Sequence, residues 1–192
     1  MTTAEVEPAA PTRGVAKPIA LLLVGGAVSV ALGVYGHVHD PTGRRPYTLF
    51  FSSTINFKVW FATLVLVLAA VQVLTALRLY GKIAIPRSLP AWWADAHRLS
   101  GTLAFLVSLP VAYQCLWGLG YQTTTTRIAV HSALGCAFYG AFVVKVLAVR
   151  IRGLPDWALP IAGGLTFVIL VAVWCTSSLW FITSRPAGVP LF

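Results

Sequence analysis

Histidines are the side chains of this chain best able to ligate a metal or carry a proton, and all four sit at the ends of apolar runs. His97 begins the segment His97-Arg98-Leu99-Ser100-Gly101, at the head of a run that reaches Trp117. His131 heads the next run, with Gly135 four residues on. His37 and His39 close the first run, with Gly33 four residues before His37 and Gly26 deeper still. Imidazole in a membrane segment is costly to keep and usually has a job. Glycine one helical turn away leaves a flat face beside the ring, which a planar macrocycle needs next to its axial ligand. His97, Gly101, Ala104 and Ser108 fall on one such stripe. The competing explanation is that small residues let membrane helices pack closely. Three His–Gly pairs in one small chain shift the balance towards haem b, with His131 and His97 as candidate iron ligands.

The rest of the chain must be a scaffold in lipid. Of its 192 residues, 58% are hydrophobic and 10% charged, against about 25% charged in a soluble domain. The net charge of +9 would suggest nucleic acid in a soluble protein, but here basic loops flanking membrane spans account for it, so no nucleic-acid partner is expected. Several of the seven Trp lie at the ends of apolar runs, as interfacial belts require. Three Cys without a short repeated spacing indicate neither a disulfide framework nor a CxxC metal site.

Five apolar runs predict an all-α bundle of five transmembrane helices: Pro18–Gly36, Lys58–Tyr80, Trp92–Trp117, Ile128–Val149 and Trp157 to Ile182. Residues 1–17 read as a disordered tail, 18–183 as the membrane domain and 184–192 as a short second tail. The first run reads as a retained helix rather than a signal peptide, because it continues to His37 and His39 without a small-residue cleavage site. Asp40-Pro41-Thr42-Gly43 is a turn signal, Pro110 a kink, the Thr123–Thr126 run a cap for the fourth span and Asp156 a cap for the fifth. Nine of the 14 Lys and Arg fall on the inner side if the N-terminus is inside, and five (Arg44, Arg45, Lys58, Arg127, Arg185) on the outer side. That count favours the N-terminus inside, the C-terminus outside and a multi-pass protein of the cell membrane.

In this topology His97 lies near the inner surface and His131 near the outer, too far apart to share one haem. The expected outer pair is His131 with His37 or His39. Lys145, fourteen residues after His131 and on nearly the same face, lies at about the depth of His97. It could meet a haem propionate, and its default is to snorkel to lipid phosphates. Asp95 could orient His97 or cap its helix, and Arg98 could bind an anionic or carbonyl group. Gln72 and Gln114 are expected to hydrogen-bond between helices, Gln114 within reach of His131. Cys115, Cys136 and Cys175 with His131 make a less favoured soft-metal set.

The stretch His97-Arg98-Leu99-Ser100-Gly101 resembles the His-Arg-x-Ser/Thr-Gly signature of the succinate dehydrogenase cytochrome b membrane anchor. His131 with Gly135 resembles that family's His-x-x-x-Gly segment. The resemblance implies that His97 and Arg98 touch quinone and that His131 ligates haem. The chain departs from it at Ala94, where the family has Ser, at Cys136-Ala137, where it has an apolar residue and Arg, and in having five spans instead of three. The His-Arg pair also looks like the haem-binding helices of haem A synthase. Over nearly its whole length the chain looks similar to an uncharacterised bacterial family of small five-span proteins.

These readings lead to a membrane b-type cytochrome, or a redox-complex membrane subunit, exchanging electrons with quinone and a redox partner through haem. The site would comprise His131, His37, His39, His97, Gly101, Gly135, Arg98 and Lys145. No paired carboxylates, P-loop or nucleophile elbow is present, so the chemistry would belong to the cofactor. The alternatives are a haem-free membrane scaffold or assembly subunit and, last, a small transporter, whose internal repeats and central carboxylates are missing.

Overall fold

The computed structural model describes residues 16–43 and 47–185. Within them the fold is all-helical, with five rods long and apolar enough to cross a membrane. They are α1 (Ala16–Val38), α2 (Thr54–Leu79), α3 (Trp93–Tyr113), α4 (Thr126–Arg150) and α5 (Ala158–Trp174). Two rods do not end as α-helix. A π-helical turn, Gln114–Leu119, extends α3, and a second, Cys175–Leu179, joins α5 to the short α6 (Trp180–Ser184). Arg13, Arg44, Arg45 and most of both tails lie outside the described residues, so the count of basic residues on the two sides is only partly represented in the structure.

The burial pattern is the inverse of a water-soluble domain's, as suits a bundle with lipid for solvent. Leu22, Leu23, Val67, Leu106 and Val168 are exposed, while Gln72, Thr75, Ser100, Ser108, Gln114, Thr166 and Ser178 are buried. In lipid no hydrophobic force drives apolar helix faces together, and close packing and interhelical hydrogen bonds would hold such rods to one another. The polar links are specific. Tyr139 donates to Ser108 O, joining α4 to α3, and Trp174 Nε1 donates to Thr63 Oγ1 at 2.9 Å, joining α5 to α2. Helices α2, α3, α4 and α5 surround a common interior, and α1 lies outside against α4. That outer contact runs backbone to backbone: a Cβ on Gly25 would stand 2.8 Å from Gly140 O.

The helix ends follow local chemistry with two exceptions. Ser53 accepts from Asn56 N to cap α2, and Thr125 accepts from Ile128 N to cap α4, as the threonine run predicts. Asp156 does not cap the fifth span; α5 starts after Trp157, which makes no side-chain cap. Asp95 neither caps α3 nor bonds His97, because its carboxylate is taken by Arg98 at 2.5 Å. The Asp40–Gly43 turn docks on the end of the first π turn, where Gly43 N donates to Gly118 O. Gly120, at φ +71°, closes that π turn and lies against Gly36 O, a conformation and a contact that a side chain would obstruct.

Candidate functional site

The bundle interior divides into a filled end, near His97, and a hollow end, near His131. At the filled end Gln72 bridges three helices. Its Nε2 donates to His97 O and to Ser100 Oγ, and its Oε1 accepts from Lys145 Nζ at 3.1 Å. Thr75 Oγ1 lies 2.7 Å from His97 Nδ1, and Trp93 Nε1 donates to Thr75 O. Gln72 thus forms the interhelical bonds expected of it, and two other expectations are corrected. Lys145 turns into the bundle instead of snorkelling outward. The glycine face beside His97 is occupied: a Cβ on Gly101 would stand 2.8 Å from Gln72 Oε1. No flat ring fits on Gly101 without displacing Gln72. Arg98 is outside this cluster, exposed and paired with Asp95.

At the other end a cavity of about 410 Å³ opens between α2, α3, α4 and α5. This lies within the range of roughly 300–1,000 Å³ that holds small-molecule ligands. Val65, Phe138 and Leu170, the main apolar core cluster, form its deep wall with Tyr139 and Ser108. His131, Gly135, Cys115 and Cys136 line its flank, and Lys58 and Arg127 lie on its lining at the helix ends. Both π turns contribute lining, through Cys115, Leu116 and Leu119 from one and Ser177 and Ser178 from the other. A π turn inserts a residue and re-aims those around it, and such turns recur at functional sites.

The second π turn fixes His131. His131 Nδ1 lies 3.1 Å from Thr176 Oγ1. Thr176 Oγ1 also lies 2.9 and 3.0 Å from the carbonyls of Ala172 and Val173. A hydroxyl that donates to the backbone accepts from His131, the arrangement that puts the imidazole proton on Nδ1 and the lone pair on Nε2. His131 also bonds the Val173 backbone, and its Nε2 is not among the buried polar atoms left without a partner. Thr75, bonded back to Val71 O at 2.7 Å, makes the same kind of contact with His97 Nδ1. Gly135 has no heavy atom within 4 Å of where a Cβ would stand, in contrast to Gly101.

The other proposed partners are elsewhere. Neither His37 nor His39 lines the cavity. His37 is exposed, and His39 packs its ring on Tyr35 and Trp117, at 5.1 and 4.6 Å between centroids. The expected pairing of either with His131 across this cavity is therefore not formed. Gln114 does not reach His131 either; its amide donates to Tyr47 O at 2.9 Å. Cys115 and Cys136 line the cavity but Cys175 is exposed, and the described residues contain no cluster of three or more metal-binding side chains.

Sequence reasoning missed Thr176, and it treated Lys58 and Arg127 as topology markers only. The polar run Thr176-Ser177-Ser178 inside an otherwise apolar span was the available signal.

A family model covers residues 18–189, nearly the whole chain. The chain belongs to DUF6529, a family of unknown function. No curated protein and no solved structure matches it. The full-length likeness to an uncharacterised family therefore holds. The local likeness to the succinate dehydrogenase anchor has no support among these comparisons, and the Gln72-filled face of Gly101 removes one of its structural implications.

The cavity fits haem in three respects: an oriented imidazole, an open glycine face beside it, and a core position between four helices, where bundles build cofactor sites. It provides one histidine, not two.

Proposed function

We propose that this protein is the membrane subunit of a redox system, of b-type cytochrome character, with haem b in the His131 cavity. The observation that carries the reading is the Thr176–His131 bond, which orients the imidazole on the cavity lining beside the open face of Gly135. A bound haem would supply one-electron transfer. His131 would hold it through Nε2, Thr176 would keep the imidazole in the required tautomer, and the wall of Val65, Phe138 and Leu170 would exclude water. Quinone is the electron donor or acceptor we assign, because the helices present apolar surface to the lipid in which quinone dissolves. The setting we assign is the cell membrane, with the N-terminus inside on the lysine and arginine count.

The test is the reduced-minus-oxidised visible spectrum of protein purified in mild detergent after haem-supplied expression. A sharp α-band that disappears in His131→Ala and survives in His37→Ala and His39→Ala is expected. A colourless wild-type protein overturns the haem reading. A haem-free scaffold is then favoured, on the ground that Gln72, Lys145, Thr75 and Trp93 already spend their polar groups joining helices.

A further inference from the structure

The His131 cavity contains positive charge that no described carboxylate answers. Lys58 and Arg127 both line it. Lys58 has no hydrogen bond or ion pair among the described residues, and the one ion pair found there is Arg98–Asp95, near His97. Arg127 is held in place: its Nη1 donates to Thr176 O at 2.6 Å, and its guanidinium lies 3.6 Å from the centre of the Trp180 ring. Those contacts orient the group without neutralising it. The described carboxylates are Asp40, Asp95 and Asp156, and none lines the cavity. Arg127 also stands in the first turn of α4, where the helix dipole adds to its positive charge and where no acidic residue occurs. Two cations at the edge of an apolar chamber in lipid need anionic company.

We infer that the cavity receives an amphiphile with a carboxylate head, seated on Lys58 and Arg127 with its apolar body directed towards Phe138 and Tyr139. This deepens the proposed function and rests on it for the identity of the ligand, since haem b carries two propionates on one edge. A long-chain fatty acid presents the same chemistry, so the test needs two arms.

In the first arm, protein in uncharged detergent is titrated with haemin and with haemin dimethyl ester, which differ only in the carboxylates. Haemin is expected to bind about tenfold tighter than the ester, a preference that falls to near parity in Lys58→Met and returns in Lys58→Arg. His131→Ala should weaken both ligands alike. If haemin and its ester bind the wild-type protein equally, the haem reading stands and the carboxylate inference falls.

If neither porphyrin binds, the haem reading fails and the second arm decides the inference. Fluorescent cis-parinaric acid is compared with its methyl ester on the same variants. An acid preference that Lys58→Met abolishes supports the carboxylate site with a fatty acid as its source. Equal binding of acid and ester, or no binding of either, overturns it.

Discussion

Thr176 Oγ1 stands 3.1 Å from His131 Nδ1 and 2.9 Å from Ala172 O. A hydroxyl that donates to the backbone accepts from the imidazole, which would hold the ring proton on Nδ1. Thr176→Val removes the acceptor while keeping the shape. It should lower haem affinity about 10–100-fold, the usual effect of losing a group that orients a metal-binding histidine, and Thr176→Ser should restore it. Nitrogen-15 NMR of the histidines gives a readout without cofactor: the Nδ1-protonated form of His131 should lose population in the valine variant only.

The two glycines beside histidines should respond oppositely to alanine. Gly101→Ala brings a methyl to 2.8 Å from an oxygen that is already bonded to Lys145, and should cost about 1–3 kcal/mol, seen as a lower melting temperature in detergent. Gly135→Ala meets nothing and should raise the melting temperature of ligand-free protein slightly, alanine being the better helix former. If the Gly135 face receives a ring, the same methyl should weaken haem binding.

Gln72→Leu strips Lys145 Nζ of its acceptor inside the bundle. A destabilisation of about 1–3 kcal/mol is expected, as for other buried groups left unsatisfied. Adding Lys145→Leu should recover part of the loss, because the stranded ammonium is then gone. Additive losses in the double variant, measured by thermal unfolding, would show that the two residues are not coupled.

Gly140→Leu should detach α1. Its side chain would have to occupy the space where Gly25 O and Ser29 meet α4. Because α1 lies outside the four-helix interior, the ligand-binding properties of His131 should survive while protease sensitivity near α1 rises.

Tyr47, outside the spanning segments, donates from its phenol to Pro110 O at 3.2 Å. Burial, and secondarily Tyr113, raises its pKa above the ordinary 10.0. The folded form holds the proton more tightly than the unfolded form, so the stabilisation is present below pH 10 and is lost as the pH climbs through the folded-state pKa. Melting curves from pH 8 upward should fall less steeply at the alkaline end in Tyr47→Phe than in wild type.

The rods were legible because lipid demands long apolar helices, and that requirement is written in every span. His131 with Gly135 was legible as a pair, since residues four apart share a helix face. The partner of that pair was not: Thr176 lies 45 residues away, and a π turn aims it. Hydropathy has no signature for one inserted residue. Lys145 was misjudged because snorkelling depends on having nothing better to bond, and Gln72 sits on a different helix. Gly101 and Gly135 look alike in sequence, and only the neighbouring helix separates a filled notch from an open one.

The filled end and the hollow end together impose a direction. Below the cavity, Tyr139 bonds Ser108, and Phe105 and Phe142 stack at 4.6 Å, before the Gln72 cluster begins. Whatever enters the chamber meets that plug at the His97 end of the bundle. A ligand there would have no path along the bundle axis to the far end without displacing the Gln72 cluster.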